Sequence, residues 1–175
     1  MPGSPLAKAV LGLVVIDVVE STAMDALPFM ERFIFSRPPR FASLAEVIKY
    51  GVQTGLVRDK ISARVSMPAQ VVEATDKLTG LKKFHWRTDI MAHKPYWEEW
   101  FKGQTDRFLG VKVTRCLIVG PGGLDDTLLG AVEAGKFTSC SFDNVGHTIH
   151  EDKPDRVAQA IKGFLDQSRI PADCN

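Results

Sequence analysis

The stretch "AVLGLVVIDVV" (Ala9 to Val19) is apolar at nearly every position. A half-solvated strand would alternate, so this run reads as a strand covered on both faces, the environment of a parallel sheet. It also has some look of a signal-peptide core, with Lys8 in front of it. Asp17 interrupts the run, however, and no small-residue cleavage site follows an uninterrupted apolar stretch. It is far too short to span a bilayer. Val10 to Ile16 is therefore expected to be a buried parallel strand with Asp17 at its carboxyl end.

The rest of the chain repeats the alternation that such a strand demands. Thr22 to Phe35 has a helical pattern despite Pro28, which is expected to kink the helix or restart it. "SLAE" (Ser43 to Glu46) has capping-box form and opens a helix to about Gln53, with Gly55 near its stop. Ile61 to Thr79 has mixed periodicity and supports no assignment. Phe84 to Met91 reads as a strand. "HKPYWEEWFKGQTDRFL" then sets Tyr96, Trp97, Trp100, Phe101 and Phe108 at helical spacing, an aromatic stripe suited to core or to the underside of a lid. Val111 to Gly120 is a strand, Leu124 to Ala134 a helix, and Lys136 to Phe142 a strand. From Pro154 the apolar residues Val157, Ala160, Ile161, Phe164 and Leu165 mark an amphipathic helix. Strand, helices, strand, helix, strand, helix calls for an α/β fold with a mostly parallel sheet flanked by helices. Residues 36–109 are long and mostly helical, and are expected to form a cap inserted over the sheet within a domain that spans 1–175.

Composition narrows the function. With 175 residues, 45% hydrophobic and 25% charged, the chain has the make-up of one ordinary globular domain. Twenty-two Lys and Arg against 21 Asp and Glu leave no footprint for nucleic acid or an anionic membrane. Cys116, Cys140 and Cys174 are widely spaced and form no C-x-x-C pair. No zinc site or redox motif is expected, nor any other metal or cofactor, and reduced thiols suit a cytoplasmic or nuclear protein.

The chemistry-bearing candidates cluster near the end. "DNVGHTIHED" places His147 and His150 in a loop between the last strand and the last helix. Loops at strand ends are where α/β folds present reactive groups. In α/β-hydrolases a histidine at this place takes the proton of a serine, and an acid holds its tautomer. Asp17 is one candidate acid; Asp125 and Asp126, after the "VGPGG" turn, are the others. The chain order in that fold is nucleophile, acid, histidine. If Asp17 is the acid, only Ser4 precedes it, and "PGSPL" is no nucleophile elbow. No serine in the chain has the Gly-x-Ser-x-Gly setting.

Four blocks bear on this: "VVIDVVESTAMDAL", "ARVSM", "YWEEWFKG" and "GHTIHEDKPDRVAQAIKGFL", in that order. Together they resemble the carboxyl-terminal part of the protein phosphatase methylesterase family, from about Leu11 to Leu165. The resemblance implies the later part of an α/β-hydrolase domain whose early strands lie outside this sequence. It also implies an esterase that removes the methyl ester from the C-terminal leucine of the protein phosphatase 2A catalytic subunit, by a Ser-His-Asp mechanism. The family's acid falls on Asp17 in "IDVVE", and its histidine on His147 in "GHTIHED". In that family the acid follows an earlier strand than in most α/β-hydrolases, which agrees with Asp17. His150 is not the family's base, and packing or loop fixing is its expected role. The serine of a "GHSMGG"-type elbow and the oxyanion donors belong to the family's amino-terminal half. A departure stands after the Val111–Gly120 strand, where "GPGGLDD" replaces a commonly Asp-containing turn. Tyr96, Trp97 and Trp100 are expected to shape the access of a phosphatase tail, and Arg64 to be a surface residue. The chain alone is expected to be inactive, and poorly stable or self-associating. The alternative is a non-catalytic module that binds the phosphatase.

Overall fold

A computed structural model of the chain describes residues 10–168 apart from 76 and 78; Ser4 and Cys174 lie outside the described residues. Three strands form a parallel sheet in the order β1 (Gly12–Ile16), β4 (Thr114–Val119), β5 (Thr138–Ser141). β4 is central, with Cys116, Leu117, Ile118 and Val119 all buried. Its register sets Ile16 opposite Ile118, and Cys116 opposite Thr138. The other edge of β1 has no strand paired to it among the described residues.

Alternation along the strands feeds two cores. Leu117 and Val119, with Leu13 and Val15 of β1, pack on Val19, Phe108, Leu128, Ala131 and Phe137. Cys116 and Ile118, with Val14 and Ile16, face Phe142, Val145, Ile149, Val157 and Phe164. Covering both faces explains why β1, and β4 from Cys116 onward, read as unbroken apolar runs. Burying each Leu or Ile side chain stabilises the fold by roughly 1.5–3 kcal/mol.

The helices follow local signals. α1 (Glu20–Ser36) runs through Pro28 as a single helix and has no fully buried residue. The expected restart is therefore absent: Pro28 stands on the exposed side of the helix. α2 (Leu44–Thr54) begins at Ser43, whose hydroxyl accepts from Glu46 N–H at 3.3 Å, and stops at Gly55 with φ 73°. Glu46 reaches back one residue further than a capping box does, accepting from Ala42 N–H at 2.8 Å. α3 (Lys60–Ser66) is capped by Asp59 and runs into a 3-10 turn, Met67–Gln70. An antiparallel hairpin follows, β2 (Val71–Thr75) and β3 (Lys82–Trp86). A third core, Phe41, Val47, Val57, Ala63, Met67 and Val71, holds this region together.

The aromatic residues at helical spacing within 93–109 do not share one helix: they lie on a 3-10 turn (Met91–Tyr96), α4 (Trp97–Phe101) and α5 (Gln104–Gly110). Gly103, at φ 74°, separates the two helices. The stripe is divided with them: Trp97 and Phe108 are buried, while Tyr96 and Trp100 are exposed. β3 also ends earlier than expected, because its partner β2 sets its length and Asp89 opens a turn by accepting from Ala92 N–H. α6 (Asp126–Glu133), the short α7 (Ile149–Asp152) and α8 (Pro154–Gln167) complete the chain, with Pro154 in the first turn of α8. Cys116 and Cys140 are free thiols on adjacent strands, and burial pushes the Cys116 thiol up from its ordinary value. Among the described residues, no helix is long and apolar enough to cross a membrane.

Candidate active site

Parallel pairing brings the carboxyl ends of β1 and β4 together, and with them the first residues beyond each strand. Asp17 follows β1 in the left-handed region, φ 56°, which Asp adopts more readily than most residues. Its N–H continues the ladder to Ile118 O at 2.7 Å. Its Oδ1 accepts from Gly120 N–H at 3.1 Å. A Cβ on Gly120 would stand 3.3 Å from that oxygen and 3.5 Å from Val145, so the glycine permits the close approach.

The second carboxylate oxygen meets the histidine. Asp17 Oδ2 lies 2.7 Å from His147 Nδ1, across 130 residues of sequence. The carboxylate accepts, so Nδ1 carries the proton and the neutral ring keeps its lone pair at Nε2. The hydrogen bond to Asp17 lifts the His147 pKa above its ordinary 6.5; partial desolvation pulls the other way, and the Asp17 charge adds to the lift. The His147 side chain is 81% exposed, against 21% for Asp17. Beside the pair opens a mostly apolar cavity of about 520 Å³, whose walls include Val19, Leu27, Met30, Phe101 and Val145.

The other residues picked from the sequence stand elsewhere. Asp125 caps α6, accepting from Leu128 N–H at 2.9 Å with one oxygen and from Ser21 Oγ at 2.9 Å with the other. Asp126 is the first residue of that helix. His150 lies in α7 with Nε2 4.0 Å from Glu151 Oε1. Arg64 is exposed on α3, along a groove with Lys49 and Lys60. Among the described residues, no group of three or more His, Cys, Asp or Glu side chains could hold a metal ion.

Comparison with known proteins finds relatives along most of the chain. Protein phosphatase methylesterase 1 of Schizosaccharomyces pombe is 40% identical over 154 residues, 87% of this chain and 44% of its own length. The probable protein phosphatase methylesterase 1 of Caenorhabditis elegans is 37% identical over 94% of this chain and 44% of its own length. The Homo sapiens protein phosphatase methylesterase 1 is 34% identical over 95% of this chain and 53% of its own length. The chain is homologous to the protein phosphatase methylesterases. It spans about half the length of these relatives. An esterase of Mycobacterium tuberculosis superposes with TM-score 0.62 at 19% identity, over 91% of this chain and 57% of that one. E-2-(acetamidomethylene)succinate hydrolase does so with TM-score 0.62 at 16% identity, over 91% and 60%. These likenesses give the fold, that of an α/β-hydrolase. No protein-family model matches the chain.

Sequence reasoning missed two acids in this homologue. Glu20 accepts from Gly103 N–H at 2.7 Å and Thr105 N–H at 2.8 Å, tying α1 to the start of α5. Those N–H groups, Thr105 foremost, hold its carboxyl below its ordinary value. Asp152 is buried and receives three backbone N–H groups. The donors that fix both are chiefly backbone N–H groups, so spacing carried no signal for them.

Proposed function

We propose that this chain carries the acid and base of a serine-type protein methylesterase, Asp17 and His147, acting on the C-terminal leucine methyl ester of the protein phosphatase 2A catalytic subunit. The observation that carries the reading is the 2.7 Å Asp17–His147 hydrogen bond at the ends of parallel strands, opening on an apolar cavity. The homologues' names support a protein phosphatase as the substrate.

The nucleophile, on this reading, is a serine in a segment that precedes these residues, since acid and base follow the nucleophile in α/β-hydrolases. His147 Nε2 takes the serine hydroxyl proton as the oxygen attacks the ester carbonyl, and Asp17 stabilises the imidazolium that forms. The tetrahedral intermediate collapses, and His147 returns the proton to the departing methoxide, giving methanol. Water, deprotonated by the same Nε2, then attacks the acyl-enzyme and releases serine and the free carboxylate. The apolar walls suit the leucine and the methyl group, and the region between α1 and β4 acts as the cap that the substrate tail crosses.

The coding sequence upstream of Leu11 tests the proposal. The expected result is an in-frame Gly-x-Ser-x-Gly elbow, and a longer product that releases methanol from a leucine methyl ester phosphatase peptide. In that product His147→Ala or Asp17→Asn should lower turnover by about ten-thousand-fold, the scale seen when a triad acid is removed. The present chain alone should show no hydrolysis. If upstream sequence carries no such serine and the chain still binds the phosphatase, a binding module is the better reading.

A further inference from the structure

Asp152 is 7% exposed, the one buried charged side chain among the described residues. Desolvating a carboxylate costs several kcal/mol unless hydrogen bonds replace the lost water. Here the replacement is backbone. Oδ1 accepts from Arg58 N–H at 2.6 Å and Asp59 N–H at 3.3 Å; Oδ2 accepts from Gly146 N–H at 2.6 Å.

These donors belong to two separate parts of the fold. Arg58 and Asp59 lie between α2 and α3, while Gly146 immediately precedes His147. On the other side of His147, Thr148 Oγ1 donates to Leu56 O at 2.9 Å, in the same α2–α3 connection. Both neighbours of the histidine are thus tied to one turn. Ser62 Oγ donates to Glu151 O at 2.7 Å, Ser66 Oγ to Glu151 Oε2 at 2.5 Å, and Arg58 Nη1 to Asn144 Oδ1 at 3.4 Å. The contact is close: a Cβ on Gly146 would lie 2.8 Å from Gly55 O and 3.3 Å from Asp152 Oδ2.

We infer that Asp152 is a positioning residue for the base: its carboxylate ties Gly146, just before His147, to the α2–α3 connection, and with the Thr148 hydroxyl tying the other side it holds the imidazole against Asp17. The inference rests on His147 being the base. The clamp explains how a largely exposed imidazole keeps one orientation, since its ring has few packing neighbours and its backbone must supply the constraint. It also explains why the acid is buried without relying on a side-chain cation, because its task is to gather N–H groups from two loops.

The test follows the His147 ring signals of the full labelled chain through a pH titration. Wild type should titrate above 6.5, and Asp17→Asn marks the value without the hydrogen bond. Asp152→Asn keeps the volume but turns an N–H donor towards the backbone donors, and should carry His147 at least half of the way to the Asp17→Asn value. Thr148→Val removes the second tie with no charge in play and should move it in the same direction by less. It decides the matter if Asp152→Asn does not fold. A wild-type His147 that already titrates with Asp17→Asn would remove the base reading itself. If wild type is raised and both clamp variants leave it there, even with lowered stability, Asp152 is a structural residue only and the inference is overturned.

Discussion

Of the three carboxylates that the sequence offered as the orienting group of His147, Asp17 and Asp125 stand in surroundings that predict opposite responses to substitution. Asp125 Oδ1 receives the Leu128 N–H at 2.9 Å, the first-turn cap of α6. Replacing a capping Asp by Ala costs about 1 kcal/mol. If Leu128 exchanges by local opening of that turn, a cost of about 1 kcal/mol lowers its protection about fivefold. Asp125→Ala also strands Ser21 Oγ, which donates to Oδ2 at 2.9 Å, and losing this part-buried bond adds roughly 1 kcal/mol, the ordinary net contribution of a hydrogen bond. The total loss of stability is then about 2 kcal/mol. Asp125→Asn keeps one oxygen and one good cap, so it should lose only about half of that. None of these changes touches the Asp17–His147 bond, so the His147 titration should stay at its wild-type position. Asp17→Asn should do the reverse, leaving Leu128 protected and dropping the His147 pKa. Amide exchange and ring titration on one labelled sample read both. A fall in the His147 pKa in Asp125→Ala, or none in Asp17→Asn, would refute the assignment of cap to one acid and orienting group to the other.

Other consequences are open to measurement. Gly146→Ala forces a Cβ to 2.8 Å from Gly55 O, and overpacking of this kind costs about 1–3 kcal/mol by urea titration; no loss would mean that the His147 loop yields freely. Ile118 is fully buried at the centre of the sheet, so Ile118→Ala should cost about 2–5 kcal/mol in the same assay. His147 has a raised folded pKa, so its pairing with Asp17 contributes fully below the ordinary 6.5 and is lost as pH rises through the folded value. Stability measured across that window should fall in wild type and flatten in Asp17→Asn. Glu20 has the opposite sign: its lowered pKa makes its contribution present above 4.5 and lost as pH falls through the folded value. The protection of Gly103 and Thr105 amides, relative to their intrinsic exchange rate at each pH, should therefore fall on acidification, and in Glu20→Gln it should be low at every pH.

What the sequence made legible follows from how local each signal is. The apolar run before Asp17, the Ser43 cap, the Gly55 stop and Pro154 at a helix start each depend on a few adjacent residues, and each was found close to where expected, although the strand starts at Gly12 rather than Val10 and is half-buried rather than buried. The hairpin was harder. β2 and β3 are mostly half-buried or exposed, so neither carries the alternation that a one-sided strand shows, and the register is set by the partner. The aromatic stripe misled for a related reason. Helical spacing records which residues would share a face if the helix continued, whereas Gly103 ends it at a left-handed turn and leaves Trp100 on the surface.

The same distinction separates the two acids that meet the His147 loop. Asp17 and His147 are 130 residues apart, yet the pair could be suspected because each side chain calls for a partner of a particular type. Asp152 and Arg58 are 94 apart, and nothing in either residue's identity announces their contact. The donor is a backbone N–H, which nearly every residue type supplies, so the partner leaves no mark in the sequence. Such an acid becomes visible only when the fold shows that it is buried and which loops surround it. The clamp therefore needs the side chain of Asp152 but only the main chain of Arg58 and Asp59; because the Asp59 side chain also caps α3, the comparison that exposes the asymmetry is Arg58→Ala, which gives up only the long 3.4 Å bond to Asn144, against Asp152→Ala.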